Sequence, residues 1–156
     1  MKFTGLALAL GALTVAAPAQ AELVRAQDPA TVVAAMKAGG FTATLGTDAV
    51  GDPMITSNTG GTNFQVYFYN CTDNRDCATV QFHAAYDFDD PPSLTTMNDF
   101  NRDQRFASAY LDKESDPVVE MDVDLDDGGM SQALFIDNLQ FWQSVLGKFE
   151  KAIGYQ

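Results

Sequence analysis

The stretch NFQVYFYNCTDNRDCATVQFHAAY, residues 63–86, carries the pattern that decides the fold. Two short segments rich in alternating, β-branched and aromatic residues flank a run of Asp and Asn, which is typical of antiparallel strands joined by a turn. In the second segment Val80 and Phe82 face one way, whereas Gln81 and His83 face the other. The stretch therefore predicts a β-hairpin with one apolar face and one more polar face.

Both cysteines of the chain, Cys71 and Cys77, lie in the turn of this hairpin. Two thiols this close in an exported protein are expected to pair, and export is indicated by the N-terminus described below. The five intervening residues differ from the two-residue spacing of thioredoxin-type redox motifs, so a structural disulfide is favoured over redox catalysis. Closing this small loop should add about 2 kcal/mol.

Segments on both sides of the hairpin complete an α+β pattern. Asp28 and Ser93 are placed to cap two short helices, and Ser131 is placed to start a long amphipathic one. The predicted order is helix 28–40, an antiparallel meander of three or four strands from the segments 41–46, 53–57, 63–70 and 78–88, helix 94–103, a hairpin of 105–111 and 117–125, and helix 131–154. We expect the helices to pack on one side of a mainly antiparallel sheet.

The first 21 residues have the layout of a cleavable secretory signal. Lys2 precedes the apolar run LALALGALTVAA, and a small-residue AQA ends at Ala21. This apolar run is shorter than the ~20 residues that a spanning helix needs, so we expect cleavage after Ala21 and no membrane insertion afterwards. The sequence predicts one mature domain, 22–156, that is periplasmic or secreted in bacteria.

Charge excludes one class of partner. Without the signal, eight basic residues face 21 acidic ones, a formal charge of −13. Nucleic acid would be repelled, whereas a basic protein or peptide would be attracted. We therefore expect a protein or peptide partner of basic character and no nucleic acid.

The sequence contains few candidate catalytic residues. The single histidine, His83, lies on the more polar strand face without a Ser or Cys nucleophile pattern beside it. Phosphate-binding loops, dinucleotide fingerprints and His-rich metal spacings are missing from the sequence. We expect no catalytic residue, no cofactor and no metal ligand.

The acidic stretch MDVDLDDGG, residues 121–129, allows a solvated strand face, a surface for a basic partner or a weak divalent-ion site. Apolar side chains alternate from Val119 to Leu125 with an acidic set consisting of Glu120, Asp122, Asp124 and Asp126. A calcium loop is disfavoured because Asp127 and Ala133 occupy the positions of its glycine and bidentate Glu. Placing Phe106 and Tyr110 on the apolar face of the hairpin predicts Arg105 opposite Asp124.

Several segments together resemble a known family. The segments GGFTATLGTDAVGDPMI, MNDFNRDQRFASAYLD and VVEMDVDLDDGGMSQALFIDNLQFWQSVLGKFE, with the cysteine hairpin, are similar to the YbjN family over about 28–153. The resemblance implies a fold like that of type III secretion chaperones. It also implies a role in sensory transduction, which is regulatory or protein-binding.

Asn98, Asn101 and Arg105 lie in a segment that resembles a motif of this family. Asn98 and Asn101 are three residues apart on a helix and share a face. Their amides are expected to fasten the helix end to the next strand, and the alternative is a polar patch that binds a partner together with Arg105.

These observations favour a non-catalytic exported module that binds a protein, in a regulatory or chaperone-like role. The alternatives are a hydrolase or other enzyme with an unrecognised pocket, and an acidic inhibitor of a cationic envelope enzyme. A hairpin edge also allows a homodimer, which no sequence feature requires.

Overall fold

A computed structural model describes residues 23–155. The predicted signal at 1–21 and its cleavage point therefore lie outside the described residues. The elements in chain order are β1 (Leu23–Val24), α1 (Pro29–Ala38), β2 (Thr44–Thr47), β3 (Pro53–Thr59), β4 (Thr62–Tyr69), β5 (Thr79–Ala85), α2 (Leu94–Asp103), β6 (Ser108–Leu111), β7 (Pro117–Asp124), β8 (Met130–Ser131) and α3 (Gln132–Ile153). The predicted α+β fold is confirmed.

Each helix starts at the cap that the sequence predicts. The side chains of Asp28, Ser93 and Ser131 accept hydrogen bonds from the backbone N–H groups of the first turns. These bonds satisfy donors that have no partner inside a helix, which is why helices begin at such residues.

Six strands form one antiparallel sheet in the order β2-β3-β4-β5-β7-β6. The meander from β2 to β5 is confirmed, and β7 rather than β6 pairs with β5. The final hairpin is therefore added to the sheet with its second strand innermost. This arrangement places β7 between β5 and β6, second from one edge, and leaves β2 and β6 as the two edges.

The turn between β4 and β5 contains the Cys71–Cys77 disulfide. Asn70, Asp73, Asn74 and Asp76 adopt positive φ angles, which Asn and Asp tolerate better than other non-glycine residues. The bond between Ala78 N–H and Tyr69 carbonyl, at 3.0 Å, restarts the ladder directly after the bridge. The disulfide thus fastens an irregular turn to two regular strands.

The core lies between one face of the sheet and α3. Trp142 is completely buried, with its ring 6.1 Å from that of Phe64 and 5.9 Å from that of Phe82. The apolar stripe of α3 is buried as the sequence predicts, and its other members are Phe135, Leu139, Leu146, Phe149 and Ile153. Near the end of this helix, Glu150 accepts hydrogen bonds from Thr62 and Tyr86 and so fixes the helix on the sheet.

A small second sheet, formed by β1 and β8, explains the glycine at the end of the acidic stretch. Gly129 has a φ of +80°, and a Cβ at this position would collide with the carbonyl oxygen of Val24. Glycine is thus required by both the backbone angle and the close approach of β1.

Candidate functional site

The helices contact one face of the six-stranded sheet and leave the other face uncovered. On the covered face Phe64, Val66 and Phe82 are fully buried, whereas on the opposite face the strand residues remain at least partly exposed, apart from Val118. We call this second surface the open face. Its main members are Thr56, Gln65, Tyr67, Tyr69, Thr79, Gln81, His83, Tyr110, Glu120, Asp122 and Asp124.

A row of carboxylates runs along β7 on the open face. Glu120, Asp122 and Asp124 alternate with the buried Val119, Met121 and Val123 on this strand. The same residues are the only Asp, Glu, Lys or Arg in the six strands of the main sheet. Burial raises the pKa of Glu120, and the neighbouring Asp122 raises it further, while a hydrogen bond from Tyr110 opposes both effects.

One tyrosine hydroxyl contacts this row directly, and a second is linked to it through Gln81. Tyr110 on β6 donates to Glu120 at 3.3 Å, and partial burial together with Glu120 raises the pKa of Tyr110 to about 12. On the other side, Tyr69 donates to Gln81, which in turn donates to Asp122 at 3.0 Å. Burial and the charge of Glu120 also raise the pKa of Tyr69. The phenols are thus held neutral beside negative charge.

His83 lies opposite Glu120 on the open face, with the ring of Tyr67 edge-on at 5.4 Å. Burial lowers the pKa of His83, so its imidazole is neutral at pH 7. Its Nδ1 atom is buried without a hydrogen-bond partner among the described residues. A general base needs a nucleophile within hydrogen-bond reach, and Gln65 and Glu120, its direct partners in the sheet, supply none.

The residues predicted on α2 have separate environments. The Asn101 side chain donates to the Ala109 carbonyl at 2.9 Å and accepts from the Ala109 N–H at 2.7 Å. This double contact is the expected fastening of α2 to the next strand. Asn98 is exposed, so the two amides do not act together on β6.

The predicted pairing of Arg105 with Asp124 is wrong. Strand β6 begins at Ser108, and Ala109 rather than Tyr110 faces the core, so the register differs by one residue. Asp124 pairs with Thr79 of β5 instead, and the Arg105 guanidinium lies 5.0 Å above the ring of Phe106. The cause is local, because Phe106 has a φ of +65° and leaves the strand path before β6 starts.

Asp126 lies beyond the end of β7, where its carboxylate accepts from the N–H of Asp127. It belongs to the turn before β8 and not to the strand row. Within residues 23–155, no cluster of His, Cys, Asp and Glu is arranged to hold a metal ion. Glu120, Asp122 and Asp124 therefore lie on the outward face of a strand, which is also the kind of surface that a basic partner would need.

A groove of about 310 Å³ lies between α2 and α3, and Phe100 is one of its lining residues. Asp99 and Asp103 line it, and both bind Arg102, while Lys148 approaches from α3. These carboxylates are exposed and ion-paired, so the groove lacks the desolvated acid or base expected of an active site. We regard the open face as the better candidate.

Comparison with known proteins identifies the family. The YbjN family model, described as "Putative bacterial sensory transduction regulator", matches residues 28–154. The chain belongs to the YbjN family. Searches of curated proteins and of solved structures found no match. The YbjN description supports a regulatory role at a coarse level, and the resemblance inferred from the sequence is confirmed.

The sequence did not identify the tyrosines of this YbjN chain as part of the site. Tyr67 and Tyr69 alternate with buried Phe64, Val66 and Phe68, so the period of two in β4 contained the signal. Tyr110 was assigned to the wrong face together with the register error. The convergence of the tyrosines on β7 depends on the pairing of β5 with β7, which local patterns do not reveal.

Proposed function

We propose that the protein is a non-catalytic regulatory module that binds a basic, extended segment of a partner protein on its open face. The single observation that carries the proposal is the carboxylate row of Glu120, Asp122 and Asp124 beside Tyr69 and Tyr110, on a sheet whose strands contain no Lys or Arg. Such a surface attracts cations by charge and by the faces of aromatic rings.

The geometry of a strand selects the form of the partner. Alternate side chains of β7 are spaced ~7 Å apart, which matches the spacing of alternate side chains in any extended peptide. An extended segment with Arg or Lys at every second position can therefore place one cation at each of Glu120, Asp122 and Asp124. A folded cationic protein does not present its charges at this regular spacing. The spacing of the β7 carboxylates therefore favours an extended partner over the alternative in which the protein inhibits a cationic envelope enzyme.

A binding experiment tests the proposal. The probe is a labelled short peptide in which Arg alternates with Ser, and its control replaces each Arg with neutral citrulline. We expect the protein to bind the Arg peptide at low salt and to lose most of this affinity at high salt. We expect no binding of the citrulline peptide. Equal binding of the two peptides would contradict the proposal.

Matched variants locate the binding surface. The triple change Glu120→Gln, Asp122→Asn and Asp124→Asn should weaken binding about tenfold, since three exposed ion pairs of ~0.5 kcal/mol each sum to about that factor. The control neutralises Asp99, Asp103 and Asp137, which are exposed residues of α2 and α3. Both variants change the net charge equally, so equal losses of affinity would point to net charge alone and not to the open face.

We further propose that the protein acts in the bacterial periplasm or outside the cell. The signal-like segment 1–21 supports export, and the Cys71–Cys77 disulfide suits an oxidising compartment. Among the described residues, no helix has the length and apolarity to cross a membrane. Cell fractionation with mass spectrometry of the N-terminus should find the protein outside the cytoplasm, starting at Glu22; an intact N-terminus in the cytoplasm would contradict export.

A further inference from the structure

The two edges of the main sheet are protected differently. On the β6 edge, α2 packs against the strand, and Asn101 occupies both the N–H and the carbonyl of Ala109. An amide side chain here takes the place of a neighbouring strand and blocks pairing. On the β2 edge, by contrast, all four residues from Thr44 to Thr47 are exposed.

The alternation of bonded and non-bonded residue pairs along β2 shows which backbone groups are free to pair with another strand. Asp48 N–H donates to the Asp52 carbonyl at 2.9 Å, which makes these two residues a bonded pair of the β2–β3 ladder. Because bonded and non-bonded pairs alternate, Leu45 and Thr47 direct their N–H and carbonyl groups away from β3. Thr47 is paired with Pro53, which has no N–H to donate, as expected for a non-bonded pair.

The β2 edge lacks the charged residues that usually discourage strand addition. Positions 41–47, FTATLGT, contain no charge and no proline, and the side chain of Leu45 is 48% exposed. A basic segment gains no ion pair along this stretch. An identical uncharged edge meets no like-charge repulsion along it, even though the whole protein is acidic.

Gly46 leaves room for the backbone of a second chain beside β2. It has an ordinary φ, and the nearest atom to a Cβ built there is the Met54 carbonyl oxygen at 3.9 Å, so the protein's own fold leaves room for a side chain. Glycine weakens a strand interior and often marks a place where another backbone approaches closely. None of residues 23–155 occupies this place.

We propose that β2 pairs with β2 of a second copy of the chain, antiparallel and about a two-fold axis at Gly46. In this register the outward groups of Leu45 bond those of Thr47 in the other copy, and the reverse. Gly46 faces its own counterpart at the non-bonded position, where the Cα atoms approach to ~4.5 Å. The two main sheets become one continuous sheet, and both open faces remain accessible. The inference does not depend on the open-face proposal.

Sedimentation equilibrium of the mature protein over a range of concentrations tests the dimer. The wild type should dimerise, Leu45→Glu should weaken the dimer by about tenfold or more, and Val50→Glu should not. Val50 is 75% exposed in the β2–β3 turn, so the control makes the same charge change close by. A monomeric wild type, or equal effects of the two variants, would overturn the proposal.

Cross-linking tests the register. Gly46→Cys should form an intermolecular disulfide on mild oxidation, because a separation of ~4.5 Å suits the Cα atoms of a disulfide. Thr44→Cys should not, since its counterpart would lie roughly 13 Å away. Circular dichroism checks that each variant is folded. A dimer that cross-links through position 44, or one that fails to cross-link through position 46, would rule out this interface.

Discussion

At the scale of single residues, Asn98 and Asn101 have different roles although both lie on α2. Asn101 satisfies two backbone groups of an edge strand, whereas Asn98 points to solvent. The sequence presents them as an equivalent pair on one helix face. Only the position of β6 distinguishes them.

Replacing Asn101 with Ala should therefore lower the free energy of unfolding by about 1–2 kcal/mol, because two hydrogen bonds to Ala109 are lost. The same change at Asn98 should alter it by less than ~0.5 kcal/mol. Urea unfolding of both variants measures the difference, and the gain in helix propensity is the same in each. Equal effects would contradict the fastening role of Asn101.

Glu120 gives a pH-dependent prediction. Its pKa in the folded protein is raised above its ordinary value of 4.5, mainly by burial, so folding is opposed when the carboxyl is ionised in both states. This cost is present at neutral pH, falls as the pH drops through the folded pKa, and is gone below about 4.5.

Glu120→Gln should accordingly stabilise the protein at pH 7, and the gain should shrink toward zero on acidification. Asp137→Asn, on exposed α3 surface, removes the same charge and corrects for general repulsion. Thermal unfolding at several pH values measures both variants. A gain for Glu120→Gln that does not exceed the gain for Asp137→Asn would contradict the cost of burial.

At the scale of elements, two hairpin turns share one design. In the β2–β3 turn Asp48 accepts from Gly51 and Asp52, and in the β6–β7 turn Asp112 accepts from Glu114 and Asp116. The first aspartate of each turn also donates its N–H to the carbonyl of the last. The fourth position has a positive φ in both turns, +97° at Gly51 and +73° at Ser115.

Because serine is strained at such an angle, Ser115→Gly should stabilise the protein by about 0.5–1 kcal/mol. The reciprocal change Gly51→Ser should destabilise it by about 1 kcal/mol or more. Urea unfolding of the two variants compares the same exchange in both directions. Destabilisation by Ser115→Gly would show that the two turns are not equivalent.

Local elements were predictable from the sequence, and the connections among distant ones were not. Helix α2 runs from Leu94 to Asp103 as predicted, because its Ser93 cap and its apolar spacing are local signals. The register of β6 was missed because Phe106 turns away in a left-handed conformation that no adjacent residue indicates. The placement of β7 beside β5 joins strands that α2 and β6 separate in the chain, and alternation within one strand does not encode such a pairing.

At the scale of the whole molecule, charge is unevenly distributed. The eight basic residues after position 21 lie on helices and connecting segments, while the main sheet carries only the β7 carboxylates. The helical side of the sheet forms the core, so the sheet presents its negative row on the side without helices. In this YbjN domain the helical side of the sheet forms the core, and the open face is the surface that we propose for recognition.

Nuclear magnetic resonance tests this division most directly. Amide chemical shifts of the labelled protein are recorded while the alternating Arg–Ser peptide is added, with the citrulline peptide as the control. The account predicts that the largest changes occur at the open face, around Tyr69, Gln81, His83, Glu120 and Asp122, and disappear at high salt. Changes concentrated on α1, α2 or α3, or equal changes with the citrulline peptide, would contradict it.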